Sequence, residues 1–339
     1  MTVLEAAPAR GLTEGEDCGD PPPSGPRVSV VIPAYLSHAT IAGCLAALRQ
    51  QEYRSFEVVV VDSSPDERTA REVRAFPEVR LIRSPGRLLP HAARNAGVAE
   101  SRGELLVFTD PDVYARPEWL RELVAAYGAA GQPVVGSISC HGRRWLDLGL
   151  HLCKFGKWLP GGPARPVDMG PTANLLVPRA AFEALGGFAD DLMLGDALFS
   201  WRLLEAGWTL RFEPRAEVAH HHTSSLGGFL RERYERGVLF GELRLAWEGL
   251  GRRRSLFYLA VSLAPVRLAR ILALTAGHCR HAGRLRDFAA TLPVLVLGHG
   301  ASLLGESRAY AARIAGRGTP GHGRAGSGRP RPAAELTRT

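Results

Sequence analysis

Four short apolar runs constrain this chain more than any other feature. VSVVI (28–32), EVVVV (57–61), VRLI (79–82) and ELLVFT (104–109) are rich in β-branched residues and recur between helix-patterned segments. Strands this short and this continuously apolar are buried on both faces, so helices must cover both sides of their sheet. The intervening segments fit. Ile41, Leu45 and Leu48 share one helical face, a polar helix is expected over 66–75, and another over 91–101. Pro117 opens a helix carrying Trp119, Leu120 and Leu123. PVVGSIS (133–139), NLLVP (174–178), TLRF (209–212) and EVAH (217–220) are expected strands, with helices over 179–185 and 196–206. Strands alternating with helices predict an α/β fold built on a doubly wound, mostly parallel sheet. Residues 141–170, rich in Gly, Trp and Pro, show no clear period and are expected to form an irregular flap.

In such sheets ligands bind beyond the carboxyl ends of the strands. Asp62 and Asp110 stand at two such ends, and Asp112 follows Asp110 across a proline. Two carboxylates this close repel unless a cation or hydrogen bonds hold them. A hard divalent ion, Mg²⁺ or Mn²⁺, bridging them to a diphosphate would do so. Asp62 can accept hydrogen bonds from a nucleobase or ribose. Arg94 can pair with a phosphate, and Asn95 beside it can hold the backbone around the acids. Asp196 opens a helix with Leu198, Phe199, Trp201 and Leu204 on its apolar face. It is a candidate general base, and the helix N-terminus is expected to lower its pKa. His220 ends a strand and is a candidate metal or phosphate ligand. Each residue also has a plain structural role open to it: a cap, a turn or a solvated face.

The formal charge is +8 and the pI about 9.6, mostly through arginine, which favours anionic partners. The arginines are dispersed without an aromatic platform, which argues against nucleic acid. Five cysteines, an odd number with no CxxC pair, predict neither a disulfide framework nor a zinc site. Residues 1–26 lack a basic-then-apolar signal pattern and are expected to be a disordered leader. The segment 226–314 is helical and Arg-rich, and 315–339 is a basic Gly/Pro-rich tail expected to be disordered. Stretches 256–276 and 288–305 are apolar, but Arg267 and Arg270 interrupt the first, and Pro293, Gly298 and Gly300 the second. That pattern suits an amphipathic helix on an anionic membrane surface better than a clean span. The expected location is cytoplasmic, peripheral on the inner face of the membrane.

Six motifs in order, VSVVIPAY (28–35), EVVVVDSS (57–64), ARNAG (93–97), GELLVFTDPD (103–112), NLLVPRAAFEALGGF (174–188) and GDALFSWRLLEAGW (195–208) with VAHH (218–221), resemble the family 2 glycosyltransferases of GT-A fold. The resemblance covers about 27–225. It implies an inverting, hexosyltransferase-like enzyme with a UDP-, GDP- or TDP-linked sugar donor and a glycan or lipid-linked acceptor in cell-envelope synthesis. It implies that Pro33, Ala34 and Tyr35 line the base pocket, that Asp62 holds the base, that Asp110 and Asp112 contact ribose and metal, and that Asp196 is the base. The chain departs from the family pattern at Gly195, often Glu, at Leu198, often acidic, and at Ser63, often a second acid or Asn. A scaffold that kept the fold and lost the chemistry is the alternative those departures raise. A sugar-nucleotide-forming nucleotidyltransferase would need a Gly-rich basic loop after the first strand, and a dehydrogenase a GxGxxG; PAYLSHAT stands there instead.

Overall fold

The computed structural model describes residues 27–142, 144–222 and 225–316. The expected leader, and the expected tail beyond residue 316, lie outside the described residues. Strands β1 (Val28–Ala34), β2 (Phe56–Asp62), β3 (Val79–Arg83) and β4 (Leu105–Thr109) pair in parallel in the order β3-β2-β1-β4. Helices α1 (Ile41–Arg49), α2 (Arg68–Arg74) and α3 (Pro90–Ala99) make the crossovers. Gly97 sets the approach of α3 to the sheet: a Cβ there would fall 2.5 Å from Val31 Cγ1. β1 is buried at every position, as its unbroken apolar run requires, and Pro33 continues the strand rather than ending it.

Beyond β4 the sheet becomes mixed. β8 (Asn174–Pro178) runs antiparallel to β4 and to β6 (Val134–Cys140), and β6 pairs in parallel with β9 (Leu210–His220). TLRF and EVAH are thus one strand, with a register shift opposite Gly136 and Ser137 where Pro214 falls. Two three-residue strands, β5 (Val113–Ala115) and β7 (Arg165–Val167), add antiparallel to β9. Helices α4 (Trp119–Ala130), α6 (Arg179–Ala184) and α7 (Gly195–Glu205) complete this half.

The flap expected over 141–170 is in part a helix, α5 (Trp145–Phe155). Leu150, Leu152 and Cys153 of α5 form a core with Phe229, Cys279, Val294 and Leu295 from the C-terminal region. Gly149 makes that packing possible, since a Cβ there would fall 2.7 Å from Val294 Cβ. The helix is held by contacts with residues distant in sequence.

The C-terminal helices are α8 (Leu226–Trp247), α9 (Arg252–Leu263), α10 (Pro265–His281) and α11 (Leu285–Ile314). The breaks expected at Pro293, Gly298 and Gly300 do not occur; α11 runs through them. Gly298 and Gly305 serve packing instead. A Cβ at Gly305 would fall 2.0 Å from Tyr234 O, and one at Gly237 of α8 would fall 2.0 Å from Ser302 O. The two helices cross almost backbone to backbone. Arg267, which interrupts the first apolar stretch, turns inward: its guanidinium lies 2.7 Å from Glu306, which Arg244 also pairs at 3.1 Å.

Candidate active site

The site is built at the carboxyl edge of the parallel strands. Ala34 pairs with Asp62, and Asp62 with Arg83, so the ends of β1, β2 and β3 lie side by side. Asp110 follows β4 directly. Asp112 immediately precedes β5, and the pairing of Val113 with His220 brings β9 against it. His221 N–H donates to Asp112 O at 2.8 Å, and His220 Nε2 lies 3.7 Å from Asp112 Oδ1. Asp110, Asp112 and His220 each offer a ligand atom within 4.8 Å of the others. Strand β5 is what assembles this triad, and at three residues it was too short to detect by periodicity.

Charge is crowded here. Burial pushes the Asp112 carboxyl above its usual range; the His220 ring opposes that shift and Asp110 adds to it. Arg94, nearly buried in α3, forms an ion pair with Asp110. Arg94, expected to meet a phosphate, instead places its guanidinium on the Asp110 carboxylate. Two carboxylates and an imidazole suit a hard-to-borderline divalent cation, and the mutual repulsion of the acids is what such an ion would relieve.

Asp196 lies in the first turn of α7, where its Oδ1 accepts the Ala197 N–H at 2.9 Å. It does not cap the helix; Leu194 holds that position. The expected lowering of its pKa is reversed. Burial raises it, with Asp110 adding, against opposition from Arg236, Arg94 and the Ala197 N–H. Desolvation outweighs the helix N-terminus here.

Both departures around Asp196 have a packing cause. A Cβ on Gly195 would fall 2.7 Å from His91 Cδ2, so the buried His91 ring fills the space an acid would need. His91 Nδ1 has no hydrogen-bond partner among the described residues, and burial lowers its pKa to about 2, so the ring is neutral. Leu198 is buried against Leu243, with Leu239, Phe240 and Trp247 beside it, all from α8. An acid at 198 would be stranded in that contact.

The remaining expected residues divide. Tyr35 is exposed at the β1 edge, with the Arg87 guanidinium 4.5 Å above its ring. Pro33 and Ala34 are buried strand residues behind it. Asp62 is fully buried and occupied, accepting from Ser64 N–H at 2.9 Å and from Arg83 at 2.7 Å. Its carboxylate organises the edge from below and offers no exposed surface. Asn95 does not hold the acids. It bonds Phe188 N–H at 3.1 Å and Phe188 O at 2.8 Å, anchoring the loop before α7.

Lys154 of α5 and Arg236 of α8 were missed. Lys154 lowers the pKa of Asp112 and pairs with Glu232 at 2.6 Å; Arg236 is 3.4 Å from Glu232 and lowers the pKa of Asp196. Only the arginine-rich run of α8 pointed toward them.

The family model described as Glycosyl transferase family 2 matches residues 29–169. The pre-mycofactocin glycosyltransferase of Mycobacterium tuberculosis is 30% identical over 244 residues, which is 66% of this chain and 49% of that protein. The undecaprenyl-phosphate 4-deoxy-4-formamido-L-arabinose transferase of Pseudomonas paraeruginosa is 39% identical over 123 residues, covering 33% of this chain and 35% of that one. The chain thus spans about half the length of the first and a third of the second. A mannosyltransferase from Pyrobaculum calidifontis, solved with GDP-Man and Mn²⁺, superposes with a TM-score of 0.51 at 20% identity over 82% of this chain and 89% of that chain. The fold is therefore the GT-A type.

Proposed function

We propose, from the match of residues 29–169 to the Glycosyl transferase family 2 model, that this chain is an inverting glycosyltransferase of that family. It moves a sugar from a UDP-, GDP- or TDP-linked donor to a lipid-linked or glycan acceptor in cell-envelope synthesis. The observation that carries the proposal is the meeting of Asp110, Asp112 and His220 at the sheet's ligand edge, with Asp196 in the electrostatic reach of Asp110. Asp110, Asp112 and His220 would hold Mg²⁺ or Mn²⁺, which when bound neutralises the donor diphosphate and favours its departure.

The protein's own groups do the rest. Arg94 orients Asp110 through their ion pair. Tyr35, presented from the buried Pro33–Ala34 backbone, offers a face for the donor base, and Arg87 must share it. Asp62, with Arg83, fixes that edge. Lys154 and Arg236 add positive charge on the side of the departing diphosphate. Asp196 takes the proton from the acceptor hydroxyl as its oxygen attacks the anomeric carbon. The bond from that carbon to the diphosphate oxygen breaks, and configuration inverts. A raised pKa makes Asp196 a stronger base than an ordinary carboxylate.

The acceptor side is proposed from the C-terminal helices. Leu256, Phe257, Leu263 and Val266 are each more than half exposed, on α9 and at the start of α10, beside Arg252, Arg253 and Arg254. The two helices bend by 63° at their junction. Apolar residues rimmed by arginines suit the boundary of an anionic bilayer. α11 is long and apolar enough to cross a membrane by composition, but it packs along α8 and α5. The proposed location is the cytoplasmic face of the membrane, with a polyprenyl phosphate as acceptor.

The test is sugar transfer from labelled UDP-, GDP- and TDP-sugars to polyprenyl phosphate in vesicles with Mn²⁺. Wild-type protein is expected to transfer one of them with inverted anomeric configuration. Asp196→Asn is expected to bind that donor and transfer at least about 10³-fold more slowly. Equal turnover by Asp196→Asn would remove Asp196 from the chemistry.

A further inference from the structure

A second constellation lies beside the first and shares no residue with it. Cys140 ends β6, His151 lies in the middle of α5, and His222 follows β9 by two residues. Their Sγ and ring nitrogens all lie within 4.8 Å of one another. His151 and His222 are buried, and Cys140 is partly exposed on a cleft of about 560 Å³ also lined by Arg116, Glu217, Arg284 and Asp287.

The hydrogen bonds fix the chemistry of one ring. His151 Nε2 is 3.1 Å from Ile138 O. A carbonyl only accepts, so Nε2 carries the proton, and Nδ1 presents a lone pair toward His222 Nε2 at 3.1 Å. A ring whose far N–H is anchored on a backbone carbonyl is the usual arrangement of a metal-ligating histidine. A tetrahedral zinc ion with bonds of about 2.0–2.3 Å sets its ligand atoms about 3.4–3.7 Å apart. The two nitrogens need to part by only a few tenths of an ångström.

We propose that Cys140 Sγ, His151 Nδ1 and His222 Nε2 bind a zinc-class divalent metal, with the fourth position open to water from the cleft. One thiolate and two imidazoles select zinc over the hard ions suited to the Asp110–Asp112 pair. Binding forms a metal–sulfur bond and releases the Cys140 proton to solvent. The donors come from three separate elements, so no CxxC or HxxH spacing announces them. The site clamps α5 to β6 and to the end of β9. It also fixes the His222 ring, on which His220 stacks at 4.6 Å. This site does not depend on the transferase reading.

The test is titration of the full chain, stripped by chelator, with Co²⁺ alone, followed by absorption spectroscopy and then by displacement with Zn²⁺. One equivalent of Co²⁺ is expected to give a thiolate-to-cobalt charge-transfer band in the near ultraviolet, abolished by Zn²⁺. Cys140→Ser and Cys140→Ala are expected to lose that band while keeping the far-ultraviolet circular dichroism of the wild type. Asp112→Asn, which alters only the neighbouring pair, is expected to keep it. No band from wild type, or a band that survives in both Cys140 variants, would overturn the assignment. Cobalt d–d absorption without a charge-transfer band, lost in Asp112→Asn and kept in Cys140→Ser, would place the metal at the acids and overturn it equally.

Discussion

Desolvation of the Asp196 carboxyl, with no ion pair of its own among the described residues, has consequences for both rate and stability. Its pKa is raised chiefly by burial, so the base form required for transfer is lost at a higher pH than for a free carboxylate, whose pKa is about 3.9. The acid limb of the kcat profile is expected above the ordinary carboxylate range. Arg236 holds that pKa down. Arg236→Ala is therefore expected to move the acid limb to still higher pH and to raise the KM for donor several-fold, which steady-state kinetics across pH would separate. The linkage has the opposite sign for folding. A carboxyl whose folded pKa exceeds its unfolded value favours the fold below the unfolded pKa, and that contribution is lost as pH rises through the folded one. Asp196→Asn is thus expected to raise the thermal midpoint at pH 7 while abolishing transfer, a gain that should shrink below pH 4; calorimetry at the two pH values checks it. Residue identities in this site were legible because the acids sit at strand ends. Their states were not. The direction of the Asp196 shift, the Arg94–Asp110 pair and the saturation of Asp62 by Arg83 all depend on partners brought from distant sequence.

At the scale of elements, the strands with unbroken β-branched runs were legible because burial on both faces leaves a signal that needs no partner. β5 was not: three residues against β9 carry no period, yet they bring Asp112 to His220. α5 was hidden for a different reason. It faces the C-terminal helices through Gly149, and a glycine at a contact looks like a loop residue in sequence. The same applies to α11, where Pro293, Gly298 and Gly300 suggested breaks in a continuous helix. The α8–α11 crossing makes this testable. A methyl at Gly237 has no room beside Ser302 O, and overpacking of this kind costs about 1–3 kcal/mol. Gly237→Ala is expected to lower stability by that amount in urea unfolding, with loss of activity following from displaced Arg236. Gly300→Ala, with open space at its Cβ, is expected to be neutral or slightly stabilising.

Across the whole molecule, the C-terminal helices are part of the site. α8 supplies Arg236 and packs Leu243 on Leu198 of α7, so the helix bearing the proposed base leans on the helix leading to the proposed membrane-facing surface. Only the composition of that region was visible in sequence; the inward turn of Arg267 to Glu306 is a pairing of distant residues that charge counting does not show. Sedimentation of the chain with vesicles is expected to show binding that rises with anionic lipid and falls with salt. Replacing Arg252, Arg253 and Arg254 with Glu should weaken it by at least about 1 kcal/mol per charge removed. Phe257→Glu should weaken binding with less salt dependence.

Asp110, Asp112 and His220 are proposed to form one metal-dependent donor site. Calorimetric titration of UDP-, GDP- and TDP-sugars, with and without Mn²⁺, into wild type, Asp110→Ala and Asp112→Ala tests it most directly. One nucleotide class is expected to bind only with Mn²⁺ and to lose binding in both variants. Binding of no nucleotide sugar under either condition, or binding indifferent to Mn²⁺ and to both substitutions, would contradict it.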